Sequence, residues 1–374
     1  MTTPFRNPEV DAIKGALIIL VVFGHIVDIF SAEYNLYRAL DGAITSFHMP
    51  LFVFLVGMFS RSALGDKDYR TLFSQFVLPL LVFQAAYLLP LRLATGKWLA
   101  PATEPYFHLW FLLAIIMMKL SLPVVVRIPF ALPASVGFAL VAGYDPGLGL
   151  SFALSRTIYC FPFFLLGHSH GRQLLALATK HRYLAGALFA GVMAVVVPWS
   201  LHGLEPNALI GSKGYAERPV IAAAPAIGRA LALLLAVLGS LGFIAWVPMR
   251  MASLAWLGQR TLAVYLLHGY VILALIRTVG RMPEDLAVRL LPVWMLGALA
   301  LAFGLARLDA PFKRAFSGMG EALMALGFRN SPRPADPRRA TQTGLDDHAV
   351  KRRDGQYVGP PQQVVTVHDR RDGE

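Results

Sequence analysis

The stretch IKGALIILVVFGHIVDIF, residues 13–30, decides the fold class. Its only ionisable side chains are Lys14, His25 and Asp28, set among Leu, Ile, Val and Phe. A helix rises about 1.5 Å per residue, so roughly 20 mostly apolar residues cross the ~30 Å hydrocarbon core of a bilayer. This run has that length, and runs of the same kind recur at 73–94, 107–126 and 222–247. Strand-period alternation is absent, which argues against a barrel. A cleaved signal peptide is disfavoured, because the first run holds His25 and Asp28 and no small-residue cleavage site follows it.

Composition agrees. Of 374 residues, 56% are hydrophobic and 15% charged, where a soluble domain carries roughly a quarter charged residues. The single cysteine, Cys160, excludes a disulfide framework and a zinc site built on cysteines. The net charge of +12 sits mostly in short segments between apolar runs and in the tail. The positive-inside rule accounts for it without nucleic acid as a partner.

The sequence predicts an all-α membrane protein of about ten transmembrane helices, at 12–30, 44–60, 72–92, 107–126, 128–143, 152–168, 183–200, 221–247, 261–278 and 287–307. His168 and His170 then fall in a loop after the sixth span, and no metal site is read from that pair. Lys and Arg are in modest excess on the N-terminal side of the membrane, and Lys313, Arg314 and the later basic cluster join them when the span count is even. Both termini are therefore expected in the cytoplasm. Residues 1–310 read as one multispanning domain. Residues 311–374 read as a cytoplasmic tail, largely disordered from about 329, where Arg, Asp, Pro and Gln dominate. No internal repeat, Gly-rich phosphate loop or sizeable soluble domain is evident.

Ionisable residues inside a membrane helix are costly and mark function by default. Lys14 and His25 are eleven positions apart, about three turns plus 20°, so they share one face and lie roughly 16 Å apart along the axis. Asp11 and Asp28 fall within the same arc of about 100°. A polar stripe thus runs from the cytoplasmic end of the first helix toward the outer half of the membrane. A histidine can act as general base, and a carboxylate one turn away can orient its ring. Asp28, at i+3 from His25, is within reach. Lys14 is too distant to touch His25 and is better placed to meet an anionic part of a substrate. A purely structural stripe, buried against other helices, is the alternative.

Several segments resemble one family. Residues 6–25, with a basic residue, ten intervening positions and then histidine (Lys14 to His25), look like the opening of the acyltransferase-3 family of membrane acyltransferases. Residues 47–57, FHMPLFVFLVG, are similar to its second-helix motif. His108-Leu109-Trp110-Phe111-Leu112 resembles its LWFL signature. Arg156 followed by residues 161–167, and residues 265–268, YLLH, match two later segments. The likeness spans roughly residues 5–308 in order and is strongest to fucose O-acetylases and other bacterial polysaccharide O-acetyltransferases.

The resemblance implies an integral membrane O-acetyltransferase in the bacterial inner membrane. It would move an acetyl group from acetyl-CoA, a donor substrate and not a resident cofactor, to a sugar hydroxyl of a surface or exported glycan. The acceptor would be a glycan or sugar-linked lipid, with polysaccharide assembly machinery as a further partner. His25 and Asp28 become the catalytic pair. Lys14, Asp11, Arg61, Lys67 and Arg70 become the donor-binding set, with Arg61, Lys67 and Arg70 holding phosphates. His48, Arg156, His268 and Trp110 are candidates for the acceptor side of the cavity. Each has a bland alternative: His48 bonding its own backbone, His268 satisfied in the core, Arg156 merely paired, Trp110 packing or belonging to the interfacial belt. A transporter or flippase for a sugar-linked lipid, using the stripe as a proton path, is the rival reading, and a non-catalytic scaffold is a third.

Overall fold

A computed structural model of the protein describes residues 7–97, 103–212, 214–217, 220–279 and 282–327. The first helix, α1 (Pro8–Ser31), starts where its capping signals are: the Asn7 side chain accepts the Glu9 N–H at 2.9 Å, Pro8 opens the helix, and Glu9 and Asp11 lie in the positive first turn. The second apolar stretch is broken into α2 (Asn35–Thr45) and α3 (His48–Met58). Pro50 has no N–H to offer the Ser46 carbonyl, so the ladder lapses here. The Ile44 carbonyl at the end of α2 is met instead by the His48 ring, its Nδ1 donating at 2.7 Å. Broken membrane helices are tolerated where side chains re-satisfy the backbone in this way.

The third stretch comprises α4 (Asp66–Leu72), a π-helical turn at Phe73–Val77, and α5 (Leu78–Thr95). Pro79 cannot bond the Gln75 carbonyl, and the turn widens by one residue. A 3₁₀ turn at Phe107–Leu109 leads into α6 (Trp110–Val125). Then follow α7 (Ala131–Val141), α8 (Leu154–Lys180), α9 (Arg182–Leu201), α10 (Pro225–Trp246) and α11 (Ala252–Gly258). The described chain closes with α12 (Thr261–Val279), α13 (Glu284–Arg289), α14 (Leu291–Ala306) and α15 (Asp309–Gly327). Among the described residues there is no strand.

Every expected span contains a helix, but among the described residues fewer than ten helices are long and apolar enough to cross a membrane by themselves. Seven qualify: Pro8–Ser31, Asn35–Met58, Asp66–Pro90, Phe107–Val125, Arg182–Leu201, Pro225–Trp246 and Thr261–Val279. An eighth arises if Leu291–Ala306 and Asp309–Leu326, bent by 46°, act as one span. The shortfall has two causes. Helix α7 has only 11 residues, about 17 Å of rise. Helix α8 has the length, but Arg156, His168 and His170 lower its hydropathy. His168 and His170 sit inside α8 and not in a loop, because the good helix formers of residues 172–178 carry the helix onward. The expected disorder from about 329 lies outside the described residues.

Helix α1 sits at the centre, packed against α2, α3, α11, α12 and α14, with Ile13, Leu17, Val22 and Val27 fully buried. Two glycine pairs set its surroundings. A Cβ on Gly15 would stand 2.1 Å from the Leu254 carbonyl oxygen, and one on Gly258 1.7 Å from that of Asp11, so α1 and α11 touch backbone to backbone. Gly57 of α3 and Gly167 of α8 do the same against the Phe164 and Phe54 carbonyls, at 2.0 Å each. Small residues at crossings give membrane helices their close van der Waals contact. The first pair fixes the rotation of α1, and hence where Lys14 and His25 point.

Candidate active site

One face of α1 borders two abutting cavities. The larger, about 400 Å³, is lined by Lys14, Ile18 and Val21 of α1 and by apolar side chains such as Phe52, Phe111 and Ile115. The π turn contributes Gln75 and Phe76, and Lys119 of α6 and Lys313 of α15 join Lys14 on its wall. The smaller cavity, about 180 Å³, is polar: His25, His48, His108, Asp28, Asp41 and Arg156 line it. Val21, Met49 and Tyr265 border both, so these three side chains stand at the boundary between them. A third hollow of about 120 Å³, lined by Arg61 and Asp68, shares Phe59, Thr71, Phe76 and Lys119 with the large cavity. Asn207 and Ile210 of the 3₁₀ turn Pro206–Ile210 border the polar cavity from the segment between α9 and α10.

Beside this boundary three imidazoles cluster. The rings of His25 and His268 stack at 5.3 Å, those of His108 and His268 lie 4.7 Å apart, and His25 and His108 6.3 Å. His268 is fully buried behind the cavity wall, its Nδ1 donating to the Val264 carbonyl at 3.0 Å. Phe107 packs against His25 at 4.9 Å from a left-handed backbone conformation, φ 53°, which is strained for a bulky residue. The Tyr265 hydroxyl donates to the His108 carbonyl. Among the described residues no three His, Cys, Asp or Glu side chains are arranged to hold a metal ion.

The residues singled out from sequence fare differently. His25, Asp28, His48, Arg156 and Trp110 share the polar cavity, with the Arg156 guanidinium 4.8 Å above the Trp110 ring, a cation–π distance. His48 keeps its backbone bond and lines the cavity too. His268 touches His25 and not the cavity itself. Asp28 does not hydrogen-bond His25; its carboxylate lies 3.5 Å from the Ser31 hydroxyl, and His25 is turned toward Phe107 and His268. Asp11 is buried off the cavity and pairs with Lys14 at 2.8 Å, so it positions that ammonium. Arg61 reaches the small hollow, largely exposed and 3.4 Å from Asp68. Lys67 and Arg70 are exposed and line none of these cavities. Five lining residues escaped the sequence reading: Asp41 and Asn207 at the polar cavity, and Lys119, Lys313 and His108. Lys119 is a lone cation in an apolar helix, a signal the sequence does carry. Lys313 follows the last apolar run on an amphipathic helix. His108 stands before α6 inside a quoted motif but was not singled out.

This geometry defines a class: a multi-pass helical membrane protein with a histidine-rich polar cavity inside the bundle, adjoining an apolar, lysine-bearing one. A family model described as an acyltransferase domain matches residues 7–307, 301 of the 374 residues. The chain belongs to that family, the acyltransferase-3 family. No curated protein and no solved structure gives a significant match.

Proposed function

We propose that this protein is a bacterial inner-membrane O-acetyltransferase that moves an acetyl group from acetyl-CoA to a sugar hydroxyl of a surface or exported glycan. The observation that carries this reading is the pair of cavities meeting at Val21, Met49 and Tyr265 along one face of α1. Coenzyme A is polyanionic at one end and ends in a long, thin pantetheine arm. The apolar cavity suits the arm, and Lys14, Lys119 and Lys313 suit the phosphates through charge-assisted contacts. Lys14 and His25 are eleven residues apart, about 16 Å along the helix, a separation the arm can bridge. The side with Lys14 is then cytoplasmic, as are both chain ends, and the polar cavity takes the acceptor, a glycan or sugar-linked lipid handed over by assembly machinery.

In this reading Asp28, Asp41, Asn207 and Arg156 supply the carboxylates, amide and guanidinium that recognise hydroxyl groups. His25 removes the proton of the acceptor hydroxyl. Its ring is held by His268 and Phe107 in place of the carboxylate expected from sequence. The freed oxygen attacks the thioester carbon, and the thiol leaves with the proton that His25 had taken. Direct transfer needs no covalent enzyme intermediate, though a histidine can also serve as nucleophile. The test is mass spectrometry of cell-surface glycans with and without the protein. Loss of an acetyl-sized mass on deletion, restored by the wild-type chain and not by His25→Ala, is expected. Unchanged glycans, or restoration by His25→Ala, would refute it.

A further inference from the structure

His108 stands out among the four histidines at this centre. The Nδ1 atoms of His48 and His268 each meet a carbonyl oxygen, of Ile44 and Val264. Carbonyls accept, so those nitrogens carry the protons and each Nε2 is left as an acceptor. His25 needs a free lone pair to serve as base. His108 is 2% exposed, and neither of its ring nitrogens has a hydrogen-bond partner. A neutral imidazole always carries one N–H, and a buried N–H without a partner is costly and rare. His108 is among the residues that line the polar cavity.

The surroundings hold that ring rigidly. Tyr87 and Tyr265 meet it edge-on at 5.7 and 5.0 Å, and Tyr265 ties down its carbonyl. Gly269 leaves room for it, since a Cβ there would stand 2.4 Å from His108 Cε1. The strained residue Phe107 immediately precedes it. A rigidly held imidazole with an unpartnered N–H, on a residue that lines the cavity beside the candidate base, can stabilise developing negative charge.

We propose that His108 is a second catalytic residue of this site, donating its ring N–H to the carbonyl oxygen of the acyl thioester. This rests on the acyl-transfer reading above. When the acceptor oxygen bonds to the thioester carbon, the hydroxyl proton passes to His25 and the carbonyl electron pair moves onto the oxygen, where the His108 N–H meets it. The oxyanion then re-forms the carbonyl. The carbon–sulfur bond breaks with its pair on sulfur, and the proton on His25 goes to the thiolate, giving ester and free thiol.

The experiment compares reconstituted wild-type protein, His108→Phe and His108→Gln, with acetyl-CoA and a sugar acceptor. Loss of one such donor lowers kcat by about 10²–10³-fold. For His108→Phe that loss is expected, with the donor KM unchanged. His108→Gln, which keeps an N–H, should recover at least about tenfold of it. A Phe variant that melts early in detergent is replaced by His108→Leu. Retention of kcat within about threefold without the donor, or a Gln variant no better than the Phe one, would overturn the assignment. No transfer by the wild-type chain would overturn the acyl-transfer reading as well.

Discussion

Replacing Lys119 by Met tests how the donor is held. The Lys119 ammonium lies on the wall shared by the large cavity and the Arg61 hollow. Its one hydrogen bond in the structure goes to the Ser60 hydroxyl at 3.1 Å. Met keeps most of the stem volume, and the Ser60 hydroxyl keeps its own bond to the Val56 carbonyl at 2.8 Å. The stability loss should therefore stay near one ordinary hydrogen bond, about 1 kcal/mol. Loss of a charge-assisted contact to a phosphate costs about 1.5–3 kcal/mol, roughly a tenfold to hundredfold rise in KM for acetyl-CoA. Binding lost equally from ground and transition states leaves kcat unchanged. The assay is initial-rate kinetics of the reconstituted protein with acetyl-CoA and, in parallel, S-acetylpantetheine, which carries no phosphate. The variant should be impaired with the first donor and normal with the second. Equal impairment with both would refute the phosphate role of this lysine.

Other outcomes follow from the same geometry. Lys67→Ala and Arg70→Ala should each leave the KM for acetyl-CoA within about twofold in the same assay, as expected of exposed charges. Val21→Trp, which puts a large ring at the boundary of the two cavities, should abolish transfer while membrane insertion, followed by fluorescence-detected gel filtration, is retained. Asn207→Ala should raise the acceptor KM about twofold to tenfold, the range of one neutral hydrogen bond, with the donor KM unaltered. Gly57→Leu drives a side chain into the Phe164 carbonyl, where a Cβ already stands 2.0 Å away. It should destabilise the protein by about 1–3 kcal/mol or more in a detergent melt.

The fold class was legible because a membrane helix has to be apolar along its whole length, and α1 announces itself in residues 13–30. The alignment of Lys14 with His25 followed from helical angle alone, and the structure puts Lys14 on the apolar cavity and His25 on the adjoining polar one. Contacts between distant segments were not legible. No local pattern says that His268 of α12 stacks on His25 of α1, or that Lys313 borders the large cavity. The expected partnership of Asp28 with His25 was sound as spacing, but Ser31 lies at the same spacing from Asp28 on the other side and takes its carboxylate. His108 escaped because its placement depends on a strained turn at Phe107 and on the absence of a side chain at Gly269, neither of which shows in hydropathy. The breaks in the second and third spans follow from Pro50 and Pro79, but their use in placing His48 and Gln75 at the cavities appears only once the helices are packed.

The central claim is that a thioester reaches His25 along the face of α1 and gives up its acyl group there. The most direct measurement is transfer of label from acetyl-CoA, carbon-labelled in its acetyl group, to a sugar acceptor in liposomes containing either the wild-type chain or His25→Ala. Labelled ester is expected with the wild-type protein and none above background with the variant, at equal amounts of inserted protein. Equal labelling by the two would contradict it.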